Sequence, residues 1–407
     1  MTQHTALSRS KTPRGWNSPS FQILLGVARR LKYGSLDLIL PNGQILSYKG
    51  QEETDARAVI DIKRFAFARR TVFGGDIGFF ESYAAGDWET PNLADCLYVF
   101  ARNADHIADA FDGSVFSGVT EQVRHWLNRN TLTGSRRNIS AHYDLGNAFY
   151  EKWLDPTMTY SSAKFLAPAD NLEAAQLNKY SNLADFIDLQ PDDQVLEIGC
   201  GWGGFAEYAA KHRGARVTGL TLSKEQLNYA QERIFREGLS DRVQFKLTDY
   251  RDMDGSFDKV ASIEMFEAVG KEYWPTYFSK VREFLKPGGV AGLQVITIAD
   301  RMFDHYLKSV DFIQRYIFPG GVLPSPSQLQ AHVESAGLRW RNVETFGDDY
   351  ARTLAEWRER FVASWQDIKP MGFDDHFNKL WRFYLAYCEA GFRAKTTDVC
   401  QAAITKA

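Results

Sequence analysis

Apolar positions in the first hundred residues switch between helical and strand-like spacing. Over residues 18–33 (SPSFQILLGVARRLKY) the spacing predicts an amphipathic helix, with Arg29, Arg30 and Lys32 near its end. SLDLILPNGQILSYKG then alternates as two strands about Asn42-Gly43, a strong hairpin signal. Helical text resumes over Ala56–Thr71, GGDIGFFESYAAGDWETPNL is glycine-rich and irregular, and Ala94–Ala110 is helical again. Residues 16–125 therefore predict a small α+β domain, with residues 1–15 as a polar, disordered lead-in.

Arg124–Arg137 is polar and basic and is taken as the connector, so the second domain runs 126–407. SAHYDLGNAFYEKWL reads as a helix anchored by Phe149 and Trp153. From Val195 a strand–helix alternation sets in. Strands are expected at 194–198, 216–220, 243–247, 258–263 and 290–297, helices at 204–212, 223–237 and 273–285, and LKPGGV (285–290) as the turn into the last strand. Such alternation predicts a parallel sheet with helices on both faces, which binds ligands beyond the carboxyl ends of its strands. Residues 301–330 and 340–400 read as aromatic, helical insertions or extensions rather than sheet.

The most informative stretch is Gln194–Phe205, QVLEIGCGWGGF. An apolar run suited to a buried strand turns through Gly199, Gly201, Gly203 and Gly204 into a helix, so a ligand can approach bare backbone at a helix N-terminus. A dinucleotide loop reads G-x-G-x-x-G with an acid about 20 residues on. Here the spacing is G-x-G-x-G and the acid, Glu197, lies inside the strand end. That arrangement suits a nucleoside carrying an amino acid, and S-adenosyl-L-methionine is the inferred ligand. Past the second strand, Thr221 and Gln226 stand where an acid often holds ribose hydroxyls; Ser223 and Gln226 also spell a capping box, and the two readings are compatible. Asp249, past the third strand, can accept from an adenine amino group or serve as a loop cap.

Composition narrows the classes. Among 407 residues the net charge is only −3, and the asymmetry is mild: residues 1–140 carry 17 Lys/Arg against 14 Asp/Glu. This permits an anionic surface as partner, and no nucleic acid is expected. Cys96, Cys200, Cys388 and Cys400 form no C-x-x-C pair or Cys/His cluster, which argues against zinc and a disulfide framework and fits a reducing cytoplasm. No run of 18 apolar residues occurs, so a soluble or peripheral protein is expected. The 28 Phe and 18 Tyr suit either apolar ligands or large cores.

His142-Tyr-Asp-Leu-Gly-Asn147, WLDPTMTYSSA (153–163), LEIGCGWGG, GLTLSKEQ, MFEAVG and RYIFPGGVLPS (315–325) together resemble the cyclopropane-fatty-acyl-phospholipid synthase family, which includes the mycolic acid cyclopropane synthases. The resemblance covers about residues 136–400, and more weakly the first 130. It implies an α/β, Rossmann-like, S-adenosylmethionine-dependent methyltransferase sheet with helical insertions, plus the small N-terminal domain for the lipid surface or dimerisation. The implied reaction is methyl transfer to the cis double bond of an unsaturated phospholipid acyl chain. Implied partners are a phospholipid membrane surface at the inner, cytoplasmic face, a second copy of the chain, and a separate reductase if the product is methylene-branched.

The family also implies a bound bicarbonate. Its holders map onto Glu267, Tyr350 and the backbone of Ile296, which match, and onto Ser162 and Gln294, where the family has cysteine and histidine; the histidine after the family's glutamate is Ala268 here. Serine and glutamine can hydrogen-bond an anion but cannot act as thiolate or imidazole bases. On that ground a methylene-branched product is slightly favoured over a cyclopropane. Tyr160 and Ser161 are assigned to the cofactor, with Tyr160, Tyr316 and Phe318 also candidates for the acyl pocket, and His142 and Tyr143 to a lid. Two other readings compete: a small-molecule methyltransferase on the same fold, and a lipid-binding protein whose site has decayed.

Overall fold

The computed structural model describes residues 15–106 and 145–406. These fall into two compact units, and the division between them, like the boundary expected at 125/126, lies outside the described residues. So do the lead-in, the Arg124–Arg137 connector, and His142 and Tyr143.

The first unit is built on a four-stranded sheet, in order β2-β1-β3-β4. β1 (Tyr33–Ile39) and β2 (Ile45–Lys49) form the expected hairpin, with Gly43 at φ +82° in the turn. β3 (Glu52–Ile62) lies parallel to β1 and pairs with the short β4 (Trp88–Glu89). The helix expected at Ala56–Thr71 is thus wrong over its first half. Ala56, Ala58, Ile60 and Ile62 are buried at every second position, a strand period that the alanines disguise as helix. The helix starts only at Ala66 and runs to Ala84, through text expected to be irregular, because Gly75 at φ +56° absorbs a kink within it. The first outer helix, Pro19–Ala28, is shorter than expected. The second, Leu93–Arg102, breaks at Asn103 and is helical again at 104–106, the rest of its expected range lying outside the described residues. Asn103 ties it to β1 by accepting from the Lys32 and Tyr33 N–H groups.

In the second unit a seven-stranded sheet runs β10-β11-β9-β8-β5-β6-β7. β5 (Gln194–Ile198), β6 (Arg216–Thr221), β7 (Val243–Leu247), β8 (Phe257–Ile263) and β9 (Leu285–Ile298) are parallel, at or near the expected positions. The chain goes β5-β6-β7 to one side, then returns to the other side of β5 with β8, so the topological switch lies at the β5–β8 boundary. Helices Gly204–Arg213, Lys224–Arg236 and Trp274–Phe284 match their expected ranges closely. β5 shows why the sheet is covered on both faces. Val195 packs into a cluster with Phe205, Ala209, Val217 and Ile234, while Leu196 and Ile198 pack with Val260, Trp274, Tyr277 and Phe278 on the other side.

Two expectations fail in this unit; the first is LKPGGV (285–290), read as a turn, which already belongs to β9. β10 (Leu338–Thr345) and β11 (Thr397–Lys406) lie in stretches read as helical extension, yet they extend the sheet, β11 inserting antiparallel between β9 and β10. The centre of β11 is Cys400-Gln401-Ala402-Ala403, all buried and none β-branched, so its strand period is interrupted there. The rest of those stretches is helical, chiefly Pro326–Ser335, Gly347–Ala363 and Asp375–Arg393. Of SAHYDLGNAFYEKWL, residues 140–144 lie outside the described residues and the remainder is helical over Asn147–Tyr150, with Phe149 and Trp153 buried as expected.

Candidate active site

Gly199, Gly201 and Gly203 carry φ of +82°, +51° and +82°, all in the left-handed region. A β-carbon on Gly199 would meet Met265 Cγ at 2.6 Å and one on Gly203 would meet Phe245 Cζ at 2.9 Å, whereas one on Gly201 meets nothing within 4 Å. Two of the glycines therefore fit the packing and the middle one faces open space at the end of β5. Beside it, Glu197 is 2% exposed and its Oε2 has no hydrogen-bond partner. A buried carboxyl oxygen without a donor, next to bare glycine backbone at a helix N-terminus, fits a ligand offering hydroxyl or ammonium donors, as S-adenosylmethionine does. Across the sheet edge Thr221 donates to Gln226 Oε1 (2.9 Å), and both are buried. Ser223 caps the Lys224–Arg236 helix through the Gln226 N–H, but its own N–H goes to Thr221, so only half of a capping box forms. Asp249 caps its own loop and holds Arg251 with both oxygens, so the structure realises its cap role.

Burial pushes the Glu197 carboxyl up to about 8, with Lys179, Arg233 and the Ala206 N–H opposing. Folded protein then keeps a proton that the unfolded chain gives up near pH 4.5, so this residue lowers stability as pH rises through that interval. Glu197→Gln should accordingly raise the melting temperature of ligand-free protein, and more at pH 8 than at pH 6. The gain at pH 7 is on the order of 2–3 kcal/mol. Melting curves at the two pH values check it; a gain of equal size at both would contradict the assignment.

At the carboxyl ends of β8 and β9 the sequence-predicted anion holders come together, and what they hold is Glu264. Its Oε1 accepts from the Ser162 N–H (2.8 Å) and from Gln294 Nε2 (2.7 Å), and its Oε2 accepts from the Tyr350 hydroxyl (2.5 Å). Each donor is itself fixed. Gln294 Oε1 accepts from Gln401 Nε2 (2.9 Å), which sets the amide so that its nitrogen faces Glu264. The Ser162 hydroxyl turns away to the Ala163 carbonyl, and Tyr350 stacks on Phe392 with centroids 4.3 Å apart. Ile296 gives its N–H to Glu267 Oε1, while Glu267 Oε2 is buried without a partner. Burial, and then the charge of Glu264, push the Glu267 carboxyl up to about 8. Burial also raises Glu264, with the Tyr350 hydroxyl as the strongest opposing influence. The donors expected to hold bicarbonate thus do not fit a free anion: Gln294 and Tyr350 are engaged by one glutamate, Ile296 by another, and the Ser162 hydroxyl by the Ala163 carbonyl.

Ser161 and Tyr160 are drawn into polar and aromatic contacts of the same region. Ser161 Oγ accepts from Lys179 Nζ at 2.7 Å, and the Tyr160 hydroxyl pairs with that of Tyr384 at 2.6 Å. Tyr160 also packs on Trp153 and Trp357, and Phe318 lies edge-on to Tyr384; Tyr316 packs on Phe312 instead. Two residues went unread in the sequence. Lys179 is fully buried, and burial pulls its ammonium down to about 7 against the charges of Glu264, Asp155 and Glu197. Its signal was readable: with Leu172, Ala175, Gln176 and Leu183 it occupies the buried stripe of the Leu172–Phe186 helix. Glu264 stands three residues before Glu267 at the same strand end, but its role depends on a backbone φ of +49° that no spacing encodes.

Comparison with known proteins decides the lineage. Residues 130–402 match the family model described as mycolic acid cyclopropane synthetase. The chain belongs to that family. It is 40% identical to a tuberculostearic acid methyltransferase of Mycobacterium tuberculosis, over 83% of this chain and 80% of that one. It is 36% identical to the cyclopropane-fatty-acyl-phospholipid synthase of Escherichia coli K12, over 86% of this chain and 88% of the relative. The crystal structure of a mycolic acid cyclopropane synthase complexed with SAH and CTAB superposes with a TM-score of 0.63 at 31% identity, covering 67% of this chain and 98% of that one. The family membership makes this chain an S-adenosylmethionine-dependent methyltransferase of the cyclopropane fatty acid synthase family. Among the described residues no helix is long and apolar enough to cross a membrane, and no His/Cys/Asp/Glu cluster suits a metal.

Proposed function

We propose that the protein methylates the cis double bond of an unsaturated acyl chain of a membrane phospholipid, giving at least in part a methylene-branched chain. The observation that carries this reading is a carboxylate fastened on both oxygens at the carboxyl ends of β8 and β9, beside a glycine cradle and under a set of aromatic rings. Glu197, Gly199, Gly201, Gly203, Thr221, Gln226 and Asp249, with Tyr160 and Ser161, would hold S-adenosylmethionine, which supplies the methyl group. An alkene is a weak nucleophile, so the pocket must exclude water and fix the chain against the donor. The carbocation that results can be stabilised by ring faces, each contributing up to about 2 kcal/mol when desolvated; Tyr160 and Phe318, in the aromatic cluster with Trp357 and Tyr384, would supply them.

Proton loss from the new methyl closes a cyclopropane. A hydride shift from the methylated carbon to the cation centre, followed by the same proton loss, gives an exocyclic methylene. A carboxylate tied down by three donors adjusts slowly to the moving cation, which gives the shift time to compete. Saturating such a branch would fall to a separate reductase. The substrate arrives from a membrane surface, and the exposed Arg29, Arg30 and Arg69 of the first unit suit anionic headgroups. Other basic residues of that unit have acidic partners. Arg64 and Arg70 are taken up by the buried Asp87, Lys63 by Asp61, and Lys32 by Glu52. Proton NMR of lipid from a host expressing the gene tests the product: vinylidene signals are expected, and upfield cyclopropyl signals without them would contradict the methylene assignment.

A further inference from the structure

We infer that Glu264 replaces the external bicarbonate on which the family pattern relies, and is itself the base that deprotonates the methylated acyl chain. The inference rests on the methyl-transfer reading above and deepens it. Gln294 Nε2 and the Tyr350 hydroxyl, expected to hold the free anion, converge instead on the two oxygens of one side chain at 2.7 and 2.5 Å. They are joined by the backbone N–H of Ser162 at 2.8 Å, while the Ser162 hydroxyl turns away. A carboxylate presents to its donors the same pair of oxygens as bicarbonate, so the protein supplies the anion covalently. A small family-wide base would have to displace Glu264 from all three donors to bind.

Backbone conformation points the same way. Glu264 sits at φ +49°, one of five non-glycine residues with positive φ among those described, and this conformation costs about 1–2 kcal/mol relative to glycine. Its N–H is fixed by the Gln294 carbonyl at 2.8 Å, so the strain is held by β9, the strand that also supplies the amide. Strain of this kind persists where the surrounding structure enforces it, typically at sites of function. Lys179, buried nearby, contributes a charge that favours the ionised form of Glu264. The two departures from the family pattern also become intelligible. A histidine in place of Gln294 would offer a different donor geometry, and neither Ser162 nor Gln294 needs to be a base when Glu264 is one.

The step balances without any further reagent. A C–H bond of the transferred methyl breaks, its proton goes to Glu264 to form an O–H bond, and its electron pair stays on carbon. That pair closes the ring or, after the hydride shift, forms the exocyclic double bond. Glu264 then returns the proton to solvent.

The test compares wild type, Glu264→Gln and Glu264→Gly in carbon-dioxide-depleted buffer with and without added millimolar bicarbonate. Turnover of S-adenosylmethionine on unsaturated phospholipid vesicles is measured, alongside binding of ¹³C-bicarbonate followed by NMR. Wild type should turn over equally in both buffers and bind no bicarbonate. Glu264→Gln, close to isosteric, should lose about 10²–10⁴-fold in turnover, the usual contribution of a general base, while keeping its S-adenosylmethionine affinity. Glu264→Gly suits the positive φ and opens the anion site, so it should be equally slow without bicarbonate, recover with it, and bind the labelled anion. Wild-type activity that requires bicarbonate, bicarbonate bound by wild type, or a fully active glutamine variant would each overturn the inference. If no protein turns over unsaturated lipid, the methyl-transfer reading falls on its own. The binding arm then still decides whether Glu264 occupies the anion site: binding by the glycine variant alone supports it, and binding by wild type overturns it.

Discussion

Gly201→Val should give a folded protein that no longer binds S-adenosylmethionine. The two halves of that expectation have separate causes. At φ +51° a β-branched residue is strained by about 1–2 kcal/mol, which a domain stable by about 5–15 kcal/mol tolerates. Nothing beyond the chain neighbours lies within 4 Å of the added β-carbon, so the substitution begins in open space. The side chain instead fills the space that the cofactor's approach to bare backbone requires, and affinity should fall at least ~100-fold by calorimetry. The neighbouring glycines provide the contrast. Alanine at Gly199 or Gly203 meets Met265 or Phe245 at under 3.0 Å, so those variants should lose stability as well as affinity. Unchanged affinity in Gly201→Val would remove the glycine turn from the cofactor site.

Tyr350→Phe should carry the second large effect, this time on turnover. The ring, stacked on Phe392, stays, and only the hydroxyl on Glu264 Oε2 is lost. A hydrogen bond to a charged group contributes about 1.5–3 kcal/mol, which corresponds to roughly 10–100-fold in kcat. The direction of the pH effect is fixed as well. The Tyr350 hydroxyl favours the ionised carboxylate and is the largest influence holding Glu264 down against burial. Without it the carboxyl titrates higher, so the acidic limb of the pH–rate profile should move to higher pH, beside a melting temperature lowered by the lost bond. A merely structural tyrosine would shift the melting temperature and leave the profile in place.

Much of this architecture was readable from the chain, for identifiable reasons. β5 and β6 are short runs buried on both faces and closed by turn residues, a signature legible in sequence alone, and the edge strand β7 shows the alternation of a half-covered strand. The glycine turn was readable because Gly199, Gly201 and Gly203 all adopt positive φ at a strand-to-helix turn. What escaped detection had no local signature. β3 was hidden by alanines that suit a helix equally well, and β11 by a centre without β-branched residues, whose strand identity comes from the slot between β9 and β10. The active site divides in the same way. Ser162, Gln294, Ile296, Glu267 and Tyr350 were all placed at the site by pattern, and the structure brings them together. What they surround could not be read, because Glu264 reaches its donors only through a left-handed backbone at the end of β8.

Whether this arrangement methylates a lipid alkene is tested most directly by S-adenosylhomocysteine formation on phospholipid vesicles that differ only in acyl unsaturation. Vesicles with cis-unsaturated chains should support turnover, and vesicles of the same headgroup with fully saturated chains should give none. Release of S-adenosylhomocysteine at equal rates from both, or from neither, would contradict the account.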